Sequence, residues 1–234
     1  MSKPITLLAT ASSGLAVTFS VVSGPAKVSG TVLTITGAET VVVAANQVGN
    51  ANYNSAPRVT RTITVNKAAQ TIAFAQPGTP VTYGVAPLTL SARSGSGLAV
   101  TFSVASGPGK VSGATLIITG AGTVVVAANQ AGNANYAAAP QVTRSITVNK
   151  AKLTVTANSL TMKQGATVPA LTYAMTGFVN GDSQAKATTG QPALSTTATS
   201  KSATGSYPIT VKAGTLAAAN YSFALVNGTL TVTK

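Results

Sequence analysis

Gly97-Leu98-Ala99-Val100-Thr101-Phe102-Ser103-Val104 carries Leu98, Val100, Phe102 and Val104 on one parity and Ala99, Thr101 and Ser103 on the other. In extended backbone successive side chains point to opposite faces, so this pattern predicts a strand with one face on a core and one in solvent. We expect that strand to lie centrally in its sheet. The same octet stands 83 residues earlier as Gly14-Leu15-Ala16-Val17-Thr18-Phe19-Ser20-Val21, and residues 13–67 align without a gap on residues 96–150, with 44 of 55 positions identical. The chain therefore contains two copies of one module.

Outward from the octet, the second copy reads as short apolar runs separated by turn residues. Strands are expected at Thr71-Ile72-Ala73-Phe74, Leu88-Thr89-Leu90, the octet itself, Lys110-Val111-Ser112, Leu116 to Ile118, Val124-Val125-Val126-Ala127-Ala128 and Val142 to Val148. The turns between them include Gln76-Pro77-Gly78-Thr79-Pro80, Ser94-Gly95-Ser96-Gly97 and Gly107-Pro108-Gly109. Seven strands at this spacing predict an antiparallel sandwich. Pro4-Ile5-Thr6-Leu7 aligns with Pro87-Leu88-Thr89-Leu90, so the first copy enters at its second strand and has no counterpart of residues 70–83. Its sheet is expected to keep an unpaired edge. That edge reads either as the boundary of a fragment or as a site of strand-addition self-association.

The last 84 residues continue in the same style with different letters. Leu153-Thr154-Val155, Leu171-Thr172-Tyr173-Ala174-Met175, Tyr207-Pro208-Ile209-Thr210-Val211, Tyr221-Ser222-Phe223-Ala224-Leu225 and Leu230-Thr231-Val232 read as strands, with Asn227-Gly228 as a type I′ hairpin turn between the last two. No stretch carries helical periodicity. The predicted fold is all-β, with tandem antiparallel immunoglobulin-like sandwich modules at 1–67, 68–150 and 151–234. Links as short as Lys67-Ala68-Ala69 and Lys150-Ala151-Lys152 lead us to expect a semi-rigid rod, each module adding roughly 30 to 40 Å.

Composition narrows the chemistry. Fifteen Lys and Arg face only Glu39 and Asp182, and His and Cys are absent. Paired-carboxylate, Ser-His-Asp and Cys-His catalysis lack their residues, as do zinc and calcium sites, so neither enzyme activity, metal nor cofactor is expected. Ser200-Lys201-Ser202 reads as an exposed loop rather than a Ser-Lys centre. A Lys-Asn isopeptide would need Glu39 or Asp182 beside it, and Glu39 is Gly122 in the second copy. The +13 charge would attract glycans or other polyanions. The cations are scattered singly without an aromatic ladder, so specific nucleic-acid binding is not expected. No apolar run reaches membrane-spanning length, and the Met1-Ser2-Lys3-Pro4 start reads as having no signal peptide.

One motif stands out: Asn46-Gln47-Val48-Gly49-Asn50-Ala51-Asn52-Tyr53, repeated as Asn129-Gln130-Ala131-Gly132-Asn133-Ala134-Asn135-Tyr136 and echoed in Ala219-Asn220-Tyr221. Asn and Gly allow self-bonded loop geometry, and a Tyr ring can bury while its hydroxyl finds a partner. Asn50, Asn52, Tyr53, Asn133, Asn135, Tyr136, Asn220 and Tyr221 are therefore candidates for a structural loop or a ligand-contacting one. Arg61 and Arg144 share the parity of Ile63 and Ile146 and read as snorkelling rim residues.

Tyr83-Gly84-Val85-Ala86-Pro87-Leu88-Thr89-Leu90, Gly97-Leu98-Ala99-Val100-Thr101-Phe102-Ser103, Gly120-Ala121-Gly122-Thr123-Val124 and Gly132-Asn133-Ala134-Asn135-Tyr136 resemble bacterial Ig-like repeats of large secreted and surface proteins. Residues 151–234 resemble an MBG domain through Leu171-Thr172-Tyr173, Thr176-Gly177-Phe178-Val179-Asn180-Gly181-Asp182, Gly205-Ser206-Tyr207-Pro208-Ile209 and Ala219-Asn220-Tyr221. Met162-Lys163-Gln164-Gly165 departs from that pattern where a Tyr-Gly turn belongs. The resemblance implies an extracellular or cell-surface setting and a non-catalytic structural spacer or stalk, with an adhesin module binding glycans or polyanionic surface polymers as the alternative.

Overall fold

A computed structural model describes residues 3–234. The chain falls into two compact units. One contains residues up to Ala73 with Ala92–Val100 and Asn129–Val142, and the other Phe74–Ser91, Thr101–Ala128 and Thr143–Lys234.

The first unit holds the whole first copy, with strands β1 (Ile5–Thr6), β2 (Thr18–Ser23), β3 (Ala26–Ser29), β4 (Val32–Ile35), β5 (Glu39–Asn46) and β6 (Val59–Val65). One sheet has the order β1-β4-β3 and the other β2-β5-β6, every pair antiparallel. Alternation sends Leu33 and Ile35 of β4 toward Val41 and Val43 of β5, and these four make the buried centre of a sandwich. Each such side chain contributes about 1.5–3 kcal/mol by leaving water.

The second copy adds β7 (Ile72–Phe74), β8 (Val81–Thr82), β9 (Leu88–Thr89), β10 (Ala92–Ser94), β11 (Thr101–Ser106), β12 (Gly109–Ser112), β13 (Thr115–Ile118), β14 (Gly122–Asn129) and β15 (Val142–Asn149). β9 and β11 to β15 each lie 83 positions after β1 to β6. The sheets here are β12-β13-β9, β11-β14-β15-β8 and the pair β10-β7. Nine strands replace the seven expected, because two-residue strands such as β8 are too short to show a period. The octet's alternation holds, with Phe102 and Val104 half-buried and Thr101 and Ser103 exposed. Its expected central position does not, since β11 is an edge strand while β14 and β15 are central. Alternation reports that one face is covered and carries no information about sheet edges.

From Ala151 the second unit continues with β16 (Ala151–Ala157), β17 (Leu160–Lys163), β18 (Tyr173–Thr176), α1 (Gln184–Ala187), β19 (Ala193–Thr196), β20 (Gly205–Lys212), β21 (Tyr221–Val226) and β22 (Gly228–Thr233). Sheets β18-β16-β21 and β17-β22-β20-β19 enclose Val155, Ala157, Ile209, Val211, Leu230 and Val232. The expected Asn227-Gly228 hairpin is absent. β21 runs parallel to β16 and β22 parallel to β17, so the chain changes sheets at Asn227. Asn227 Oδ1 instead accepts the Val211 N–H at 3.0 Å. Gly228 opens β22, where a Cβ would lie 2.4 Å from the Ala157 carbonyl oxygen. Glycine is required there by close approach, not by a turn.

Candidate functional site

The Asn-Tyr loops follow β5 and β14 and precede β21. Asn50 Oδ1 accepts the N–H groups of Asn52 and Tyr53 at 2.8 and 3.0 Å. Asn133 Oδ1 does the same for Asn135 and Tyr136 at 2.8 and 2.9 Å. The turn closes through Asn50 N–H to Tyr53 O and Asn133 N–H to Tyr136 O. Gly49 and Gly132 both have φ +77, and a Cβ on either would meet the Tyr carbonyl oxygen at 2.4 or 2.3 Å. The Asn-Gly chemistry of the motif is thus used on the loop's own backbone.

The second Asn of the motif reaches further. In the first unit Asn135 Oδ1 accepts the Ala38 N–H at 2.9 Å, while the Asn135 carbonyl accepts Ala68 N–H at 2.8 Å and Ala137 N–H reaches Ala68 O at 2.9 Å. Asn135 therefore holds both the turn before β5 and the segment that follows β6. The second unit repeats the arrangement: Asn220 Oδ1 accepts Ala121 N–H at 2.9 Å and Asn220 O accepts Ala151 N–H at 3.0 Å. Ala121 and Ala151 are the counterparts of Ala38 and Ala68. A Cβ at Gly37 would lie 3.0 Å from Asn135 Oδ1, and one at Gly120 3.1 Å from Asn220 Oδ1. The Gly-Ala pair thus admits the amide and then donates to it.

The three tyrosines differ in depth. Tyr53 is 53% exposed, Tyr136 is half-buried and Tyr221 is 1% exposed. The Tyr221 hydroxyl donates to Asp182 Oδ2 at 2.7 Å, and the Tyr83 hydroxyl donates to the same oxygen at 3.1 Å. The two rings meet edge to face at 5.6 Å. Burial pushes the Tyr221 hydroxyl up to about 12; the hydrogen bond from the Val179 N–H opposes it, and the Asp182 carboxylate and Tyr83 add to it. Asp182 follows Asn180 and Gly181, both left-handed, and Gly84 approaches so closely that a Cβ would lie 2.7 Å from Val179 Cγ2. Asp182 is thus bonded to two phenols.

Sequence reading missed a polar cluster. Gln70 and Gln130 are buried. The Gln70 side-chain amide donates to Gln130 Oε1 and to the Ala137 carbonyl, and the Ser96 hydroxyl donates to Gln70 Oε1. Gln130 Oε1 also accepts the Gly132 N–H at 2.6 Å. The signal was present in the repeated Asn-Gln dipeptide. Arg144, read as a rim residue, donates from Nε to the Phe74 carbonyl at 3.1 Å and lies over the Phe74 ring at 5.9 Å. Among the described residues no three His, Cys, Asp or Glu come together as a metal site, and no helix is long and apolar enough to cross a membrane.

Residues 153–231 match the family model described as "MBG domain (YGX type)". Comparison with curated proteins gives no match. Among solved structures the chain is similar to "Crystal structure of Drosophila N-cadherin EC1-4", at 10% identity and a TM-score of 0.30, over 94% of this chain and 66% of that one. It spans just under two thirds of that structure's length.

Proposed function

We propose that the chain is a non-catalytic spacer segment of a secreted or cell-surface bacterial repeat protein, with immunoglobulin-like modules at 1–67 and 68–150 and an MBG-type module at 151–234. The observation that carries this reading is the repeated joint. Asn135 with Ala38 and Ala68, and Asn220 with Ala121 and Ala151, fasten a turn and a linker to the next Asn-Tyr loop in the same way. Main-chain pairing across a linker removes torsional freedom, as transmitting force or holding distance requires. The joints also engage the side-chain oxygens of Asn135 and Asn220. The match over residues 153–231 supports the extracellular setting.

The net charge of +13 favours a second reading, an adhesin module for glycans or polyanionic polymers. A glycan array combined with heparin binding across a salt series separates the two. A spacer gives no saturable sugar binding and only weak heparin retention that vanishes near physiological salt. Saturable binding of one sugar class at that salt would replace the spacer reading with the adhesin.

A further inference from the structure

Asn-Gly occurs twice in the chain, at Asn180-Gly181 and Asn227-Gly228, and the fold treats the two differently. Asn180 and Gly181 are the centre of a turn closed by the Asp182 N–H, which donates to the Val179 carbonyl at 3.0 Å. Both have left-handed backbone, with φ +56 and +72, as a type I′ turn requires. Both are exposed, and the Asn180 side chain makes no hydrogen bond among the described residues. Asn227 is tethered instead: its Oδ1 accepts the Val211 N–H at 3.0 Å, and Gly228 lies in the sheet opposite Ile209.

The ends of the Asn180 turn carry contacts that its centre lacks. Val179 N–H donates to the Tyr221 hydroxyl at 3.1 Å, and Asp182 Oδ2 accepts the hydroxyls of Tyr221 and Tyr83. Tyr83 comes from the segment that opens the second copy and Tyr221 from the MBG region, so this turn clasps one to the other. We infer that Asn180 is a site of spontaneous covalent modification, losing its amide to the Gly181 main chain, and that the isoaspartyl product releases the clasp of Tyr83 and Tyr221 on Asp182. The Gly181 nitrogen gives its proton to solvent and bonds to Asn180 Cγ, while the Cγ–Nδ2 bond breaks and ammonia departs with a proton from solvent. Water then opens the resulting succinimide ring. Attack at the side-chain carbonyl yields aspartate, and attack at the main-chain carbonyl yields isoaspartate, in which the chain runs through Cβ and Cγ. Gly181 has no side chain to obstruct the approach, and the turn is closed by a single main-chain hydrogen bond that local opening releases. At Asn227 the Oδ1 tether and the pairing of β20 with β22 would have to open first. Isoaspartate lengthens the main chain between Val179 and Asp182, whose spacing the shared Tyr221 hydroxyl fixes. Aspartate adds a charge and leaves the main chain as it was. The inference stands without the spacer reading.

Incubating the full chain at neutral pH and mapping its peptides by mass spectrometry, with isoaspartate distinguished from aspartate, tests the chemistry. Amide exchange at Val179 and Asp182 in the same samples tests the consequence. The expected result is conversion of Asn180 roughly tenfold or more faster than that of Asn227, largely to isoaspartate, with exchange at both amides quickening in step with the isoaspartyl fraction. The variant Asn180→Asp, which has the charge without the longer main chain, should keep the exchange of the parent. The inference is overturned by equal rates at the two asparagines, by an Asn180 that stays intact while a free peptide of residues 176–185 converts, by isoaspartate without faster exchange, or by Asn180→Asp opening the turn as far.

Discussion

β6 and β15 share Val-Thr-Arg, Ile-Thr-Val and a partner strand that reads Thr-Val-Val-Val-Ala-Ala-Asn after its first residue, yet the molecule uses them differently. On β15, Ile146 and Val148 are 0% and 3% exposed, whereas Ile63 and Val65 on β6 are only half-buried. The difference comes from residues 70–83. β7 brings Phe74 onto Phe102, and β8 extends the sheet beyond β15. Even β10 depends on this segment: its counterpart, residues 9–11, forms no strand, since β7 is what β10 pairs with. Near-identical local sequence therefore does not fix burial at a sheet edge, where a non-local strand decides.

The largest effect is expected from Phe74→Ala, which removes the ring that covers Phe102. It should destabilise the second copy by about 3–5 kcal/mol and bring exchange at Ile146 and Val148 toward that of Ile63 and Val65. Retention of full protection would break the comparison. Next, Ile146→Ala should cost about 2–5 kcal/mol and Ile63→Ala roughly half as much, because a half-exposed side chain loses less area on truncation. Denaturant unfolding followed by residue-resolved NMR keeps the two copies apart, and equal costs would contradict the burial difference.

A smaller contrast concerns the motif. Asn135→Ala removes the acceptor for Ala38 N–H and should cost about 1 kcal/mol, visible as faster exchange at Ala38. Asn52→Ala changes the corresponding side chain of the first copy, which makes no side-chain hydrogen bond among the described residues, and should cost a few tenths of a kcal/mol at most. The smallest effect is electrostatic. Tyrosine in an unfolded chain ionises near pH 10, while Tyr221 in the fold ionises at about 12. Between these values the unfolded state has lost a proton that the folded state keeps, so stability is intact below pH 10 and falls as pH rises through the window. Tyr221→Phe should flatten that fall in denaturant titrations at alkaline pH.

Much of the fold was legible. Residues 98–104 gave the correct parity, Ser94 to Gly97 the correct turn, and the 83-residue repeat the correct positions of six strands in each copy. What failed was non-local. Asn227-Gly228 has the chemistry of a hairpin turn, but β21 and β22 find parallel partners in different sheets, which no local signal reports. The Asn-Tyr loop was legible as self-bonded, since Asn50 and Asn133 reach only two and three residues along the chain. The reach of Asn135 to Ala38, across 97 positions, was not. The repeated Asn-Gln dipeptide marked Gln130, but its partners Gln70 and Ser96 were not legible for the same reason: they meet it only when segments 60 and 34 positions away are brought together.

Residues 70–83, and not the repeat sequence itself, protect the face of the second copy. Amide hydrogen exchange along β6 and β15 in the intact chain tests this most directly. Thr147 N–H donates to Thr79 Oγ1 at 3.0 Å, so Ile146, Thr147 and Val148 should exchange roughly tenfold or more slowly than Ile63, Thr64 and Val65. Equal protection of the two strands would show that the covering segment contributes nothing.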